Sequence, residues 1–231
     1  MKGWARNAQR VIEPLKAPAR ARLVSLAGLD GAGKTTQARL LGRWLADEGH
    51  SVAVEAPDGP SITRGVLSDV AAELGLADHH DVLGADVTQV VMAFMRYRDW
   101  AERVLPELPA RQWVVTDRSA VCHYAAAAAV GAGNEASLRL ILDRLPKPDL
   151  VIYLDVPPEE AYRRLTLRPA GREESAFLRA NERGYRDLPE FAGFAVVSGA
   201  GSVEQVQDRL RDVVRALGQT GTTAYSCIAK K

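Results

Sequence analysis

Cysteine is nearly missing from this chain, with two among 231 residues, Cys122 and Cys227. Two thiols that far apart make neither a disulfide framework nor a metal-binding knuckle, and such usage is expected of a reducing compartment. Long apolar runs are missing as well. No stretch approaches the roughly 18 consecutive apolar residues of a membrane-spanning helix, and Met1 to Arg6 carries no apolar core of the signal-peptide kind. An excess of either charge is also absent: 30 Lys and Arg stand against 29 Asp and Glu, for a net charge of +1. That balance removes bulk attraction to nucleic acid or a membrane surface and leaves only local basic clusters. The expectation is a soluble cytoplasmic protein with no nucleic-acid or membrane partner. Apolar residues make up 47% of the chain, which excludes global disorder. The length suits one domain with a complete core.

What is present is a glycine-rich stretch, Gly28-Leu29-Asp30-Gly31-Ala32-Gly33-Lys34-Thr35-Thr36-Gln37. It satisfies the phosphate-binding pattern G-x-x-x-x-G-K-[ST] at Gly28, Gly33, Lys34 and Thr35. Glycines let the backbone wrap closely enough for its N–H groups to face phosphate oxygens. Lysine at this position reaches the β- and γ-phosphates, the threonine hydroxyl suits Mg²⁺, and the following helix presents its positive end. The flanks agree with the motif. Arg22 to Ala27 reads as a buried strand, and Thr36 to Leu45 reads as an amphipathic helix. Binding of a nucleoside triphosphate follows.

Further along, strands are expected at Ser51–Ala56, Gln112–Asp117, Pro148–Asp155 and Phe194–Ser198, making five with the first. Helices are expected at about 61–74, 86–105, 121–130, 135–145, 158–168, 175–188 and 203–217, with a polar loop over Gly75–Gly84. Alternating strands and helices imply a parallel sheet covered on both faces. Residues 1–21 read as a basic extension, 22–217 as the catalytic domain and 218–231 as a loose tail. In the long helix, Val90, Val91, Phe94, Trp100 and Val104 recur at helical spacing and are expected to face the core. Asp117-Arg118-Ser119 closes the third strand, where an acid and an arginine suit a phosphate and Mg²⁺ site. Arginines at 163, 164, 168 and 172, on a helix that breaks at Pro169 and Gly171, suggest a cationic lid over transferring phosphates. A charged surface hairpin is the plainer reading of the same residues.

Together these features resemble the thymidylate kinase family of P-loop nucleoside monophosphate kinases, over about residues 22–215. The Asp30 and Thr36-Gln37 form of the loop is the most specific element. Asp117-Arg118-Ser119 resembles the family's Asp-Arg-Tyr, and Met92 to Arg96 its Phe-Ala-Ala-Asp-Arg helix. Tyr153 to Val156 and Glu182 to Tyr185 echo it further. The resemblance implies a five-stranded α/β P-loop kinase fold with an Arg-rich lid, ATP and Mg²⁺ as donor and metal, and a homodimer. Gly28, Asp30, Gly31, Ala32, Gly33, Lys34, Thr35 and Thr36 would bind ATP, with Gly199 and Ala200 in the adenine-contacting loop. Thr35 and Asp117 would serve the metal, and Arg118 would clamp phosphates. Asp30 and Arg96 would face the acceptor. Gly31 stands where many members carry an arginine, which implies a transition-state cation from Arg168 or Arg172.

The acceptor side drifts from the family. Met92 stands at the thymine-stacking Phe, Ser119 at the Tyr, and about Ala127 at a pyrimidine-contacting Gln. The loop after the second strand reads Glu55-Ala56-Pro57-Asp58-Gly59 without the usual arginine, and Arg64 is the nearest. Pro57, Phe94 and Ser119 remain acceptor-side candidates. Two acceptors therefore stay open: a nucleoside monophosphate, with thymidylate the family default, or a nucleoside or other hydroxyl with Glu55 as base. A non-catalytic nucleotide-binding module is the third reading.

Overall fold

Stretches in which valine, leucine and isoleucine crowd together become strands because a sheet covered on both faces needs apolar residues at every position. In the computed structural model, which describes residues 21–56, 62–167 and 175–220, these are β1 (Arg22–Ala27), β2 (Val52–Glu55), β3 (Trp113–Asp117), β4 (Leu150–Asp155) and β5 (Ala195–Ser198). All neighbours pair parallel in the order β2-β3-β1-β4-β5. The expected five-stranded α/β sheet is thus present, with each strand ending within a residue or two of its expected place. Buried hydroxyls are partnered across it: Ser25 and Thr116, opposite each other in register, share a 2.6 Å hydrogen bond. At the sheet's other end, Asp149 Oδ2 accepts from the Leu23 N–H at 2.8 Å.

The helices are α1 (Lys34–Asp47), α2 (Ile62–Glu73), α3 (His80–Leu83), α4 (Ala85–Arg103), α5 (Ala120–Ala129), α6 (Glu135–Leu142), α7 (Pro158–Thr166), α8 (Ser175–Arg186) and α9 (Val203–Thr220). A 3₁₀ turn, Pro189–Gly193, brings Phe191 against Tyr153 at 5.3 Å between ring centroids. None of the helices among the described residues is long and apolar enough to cross a membrane.

Three expectations need correction. The 75–84 stretch is not wholly loop, because α3 forms within it. The last helix runs past Leu217 to Thr220. Phe94 does not face the core: it is 57% exposed, while Ala93 and Trp100 of the same helix are buried. Helical spacing marks a stripe, and α4 turns only part of that stripe inward. Of the expected N-terminal extension all but Ala21, the far end of the tail and the 168–174 segment of the expected lid lie outside the described residues.

Two helices approach more closely than side chains permit. A Cβ added at Gly184 on α8 would sit 2.5 Å from the Ala125 carbonyl oxygen of α5. Replacing a mid-helix glycine with alanine is worth about 1 kcal/mol in propensity, but overpacking against backbone costs about 1–3 kcal/mol. Packing wins here. Gly184→Ala is expected to lower the urea midpoint and Gly184→Val to lower it further; a raised midpoint in the alanine variant would refute the close packing.

Candidate active site

At the carboxyl end of β1 the chain must leave the sheet and enter α1 within a few residues, and glycine conformations make that turn. Gly28, Gly31 and Gly33 have φ of 134°, 86° and 93°. Gly28 and Gly31 also answer to space. Their added Cβ atoms would lie 2.8 Å from the Leu154 carbonyl oxygen and 2.3 Å from that of Ala161. At Gly33 nothing lies within 4 Å, so its backbone angle alone demands glycine. The loop is therefore pressed onto the backbones of β4 and α7, and its own Ala32 is buried.

Lys34, the first residue of α1, folds back over this loop. Its Nζ donates to the Gly28 carbonyl at 2.9 Å, the Leu29 carbonyl at 2.7 Å and Asp30 Oδ1 at 3.3 Å. Burial lowers its pKa, Arg118 pushes the same way, and Asp30 and Asp117 oppose. Thr35 Oγ1 donates to Asp117 Oδ2, joining the start of α1 to the end of β3. Asp117 is buried, and its other oxygen has no hydrogen-bond partner among the described residues.

Arg118 follows directly, and its φ is 82°, the left-handed region. A non-glycine residue there costs about 1–2 kcal/mol, and such strain clusters at functional sites. Its N–H continues the ladder to the Leu26 carbonyl at 2.9 Å, and its Nη2 pairs with Asp30 Oδ1. Burial works against the guanidinium's charge, yet Asp30 and Asp117 hold its pKa well above the ordinary value. Asp30 thus binds both cations of the site with one oxygen.

On the neighbouring side, Glu55 ends β2 and is buried. Burial raises its pKa against the pull of Arg96, whose Nη1 lies 3.6 Å from Glu55 Oε2. Arg39 of α1 holds the next residue, donating to the Ala56 carbonyl at 2.8 Å. Arg96 and Met92 are one helical turn apart and share a face of α4. Phe94 stands roughly 200° around from Met92, exposed, which separates it from the other acceptor-side candidates. Ser119 is buried, with its hydroxyl unpartnered among the described residues. Pro57, Arg168, Arg172 and the Arg64 side chain lie outside those residues.

The loop after β5 is tied to the same end of the sheet. The Gly199 N–H donates to the Asp155 carbonyl at 2.8 Å, and the Ala200 carbonyl accepts from Arg209 at 2.7 Å. Arg164 donates to the Gly199 carbonyl at 3.1 Å. Arg163 and Arg164 both bond Glu160, whose carboxyl they hold down to about 2. That pairing takes two of the four arginines expected in the lid into local ion pairs.

Sequence reasoning gave Tyr185 no role. It is buried on α8, and its hydroxyl donates to the Gly28 carbonyl at 3.4 Å, the same oxygen that Lys34 bonds. The helical recurrence of Leu178, Asn181 and Tyr185, all buried, was the available signal.

A glycine-built anion cradle, a buried lysine, an arginine and a Thr–Asp pair at the strand carboxyl ends define a P-loop phosphotransferase. The comparisons narrow the class. The family model for thymidylate kinase matches residues 26–210. The thymidylate kinase of Thiobacillus denitrificans is 34% identical over 157 residues, covering 66% of this chain and 74% of that protein. That of Caldanaerobacter subterraneus is 28% identical over 181 residues, 74% of this chain and 85% of its own. The probable thymidylate kinase of Pyrococcus horikoshii is 28% identical over 204 residues, 85% and 97%. The chain belongs to the thymidylate kinase family, and so is a nucleotide phosphotransferase.

Backbone strain at Arg118 gives a direct check. Arg118→Gly and Arg118→Ala both remove the guanidinium, so the difference between them reads the φ of 82°. Arg118→Gly is expected to be more stable than Arg118→Ala by about 1–2 kcal/mol, with both inactive. Elsewhere glycine is normally the less stable of the two; finding that order in denaturant titrations would contradict the left-handed assignment.

Proposed function

We propose that this protein transfers the γ-phosphoryl group of ATP to a nucleoside monophosphate, with thymidylate the acceptor for which its relatives are named. The observation that carries the reading is the convergence of Lys34, Thr35, Asp117 and Arg118 on the Gly28–Gly33 loop. Phosphate oxygens arriving in the loop compete with Asp30 for Lys34 and Arg118, so both cations turn from an internal carboxylate to the substrate. The burial that lowers Lys34's pKa favours such an exchange, since phosphate charge restores the ammonium form.

Mg²⁺ fits the residues present. A buried carboxylate oxygen without a partner, beside a threonine hydroxyl, is the hard-oxygen donor set this ion takes. Thr35 and Asp117 would hold it, and it would supply charge neutralisation at the β- and γ-phosphates. Arg118 clamps the phosphates and keeps them in line with the acceptor. Arg168 and Arg172, between α7 and α8, supply the cation for the transferring group, a contribution of order 10³-fold in related phosphoryl transfer. Gly199 and Ala200 border the adenine.

The test is ATP consumption measured over a panel of nucleosides and nucleoside monophosphates. Turnover with thymidylate and none with thymidine is expected; turnover restricted to unphosphorylated nucleosides would overturn the proposal. Lys34→Ala is expected to slow turnover by roughly 10²–10³-fold, and an unchanged rate would remove the loop from the reaction.

A second reading has one specific observation behind it, the buried Glu55 beside Arg96 at the end of β2. A carboxylate whose pKa is raised makes an effective base toward a neutral hydroxyl, whereas next to an acceptor phosphate it repels. Glu55→Gln separates the two. With a monophosphate acceptor the substitution frees Arg96 and is expected to lower KM with kcat retained. A turnover rate reduced by about a hundredfold or more would establish Glu55 as the base and the acceptor as a hydroxyl compound.

A further inference from the structure

Two of the chain's four histidines, His79 and His80, are adjacent, in the segment joining α2 to α4. Asp78 precedes them. One donor atom from each of Asp78, His79 and His80 falls within 4.8 Å of the other two. Tetrahedral ligands about 2.0–2.2 Å from a common ion stand roughly 3.3–3.6 Å apart, so a closure of about an ångström, which side-chain rotation can supply, brings all three into range.

The segment's own bonds fix this arrangement. Asp78 Oδ1 accepts from the His80 N–H at 2.7 Å and lies 3.1 Å from His79 Nδ1. Asp81 Oδ2 accepts from the Asp78 N–H at 3.1 Å, and the Asp81 N–H donates to the Asp78 carbonyl at 3.0 Å. The imidazoles stand with centroids 4.0 Å apart. The backbones of Asp78 and His80 are therefore tied on either side of His79 before any ion arrives. His79 is largely covered and Asp78 is half exposed, which leaves the site a route to solvent.

We propose that Asp78, His79 and His80 bind a borderline divalent cation of the zinc or nickel type. Two imidazole nitrogens and one carboxylate oxygen suit those ions, while magnesium and calcium prefer all-oxygen sets. The site is thus chemically separate from Thr35 and Asp117, and the ion used for phosphoryl transfer does not compete for it. Three protein ligands leave at least one position to water. Bound there, the ion clips the turn that contains α3, which packs on both α2 and α4, and braces α4, the helix that carries Arg96.

The test is equilibrium dialysis of the full chain against Zn²⁺ and, separately, Ni²⁺, with Mg²⁺ in excess to occupy oxygen sites. The wild type is expected to retain one equivalent. Asp78→Asn and the double variant His79→Gln, His80→Gln are expected to bind at least roughly tenfold more weakly. Equal retention by the double variant, or none by the wild type, overturns the proposal. Histidine imidazole NMR of the wild type needs no variant: Zn²⁺ should shift the His79 and His80 signals, and shifts confined to His50 or His123 would refute the site. Mg²⁺-dependent turnover of the metal-free variants, expected to equal that of the wild type, keeps this result independent of the phosphotransferase reading.

Discussion

The close approach of the Gly28–Gly33 backbone to two other backbones is the constraint on which the structure depends. Leu154 of β4 and Ala161 of α7 leave no room for a Cβ at Gly28 or Gly31. Because β4 is the strand beside β1, the loop's shape is set by the sheet order itself. A slip in the β1–β4 register would move those carbonyls and open or close the cradle. Tyr185 adds a third wall from α8, and α8 keeps its place only because Gly184 lets it settle on α5. The phosphate cradle is the meeting point of elements drawn from most of the chain.

Charge within the cradle is internally balanced. Lys34 and Arg118 both lean on Asp30, and Asp117 pairs with Thr35. Leaving the buried Lys34 ammonium uncompensated would cost several kcal/mol, whereas an anion entering the loop can replace the internal carboxylate in kind. Strain is kept beside that balance. Arg118 adopts a glycine-like angle so that its N–H completes the β3–β1 ladder while its side chain reaches back to Asp30. A glycine there would relax the backbone and lose the guanidinium.

The end of β2 is built differently. Glu55 and Arg96 face each other from a strand and a helix far apart in sequence, and Arg96 is the main counter-charge of Glu55. Nothing in the local pattern of Glu55-Ala56 or of Met92 to Arg96 announces that pairing. Phe94 shows the complementary failure. It shares the helical recurrence of Val90 and Trp100, yet the helices that pack on α4 leave it in solvent.

The sequence by itself determined the strand and helix order, the parallel sheet and the place of the glycine-rich motif between β1 and α1. Those follow from local causes: β-branched runs, glycine spacing, and a lysine and threonine fixed by a motif of ten consecutive residues. Only the tertiary structure decided which charges meet. That Asp30 reaches Arg118 as well as its near neighbour Lys34, that Glu55 holds Arg96 and that Tyr185 supports the Gly28 carbonyl depends on how the elements pack. Ion pairs and close backbone contacts are set by distances of an ångström or less between distant segments, and a one-dimensional pattern carries no such distances.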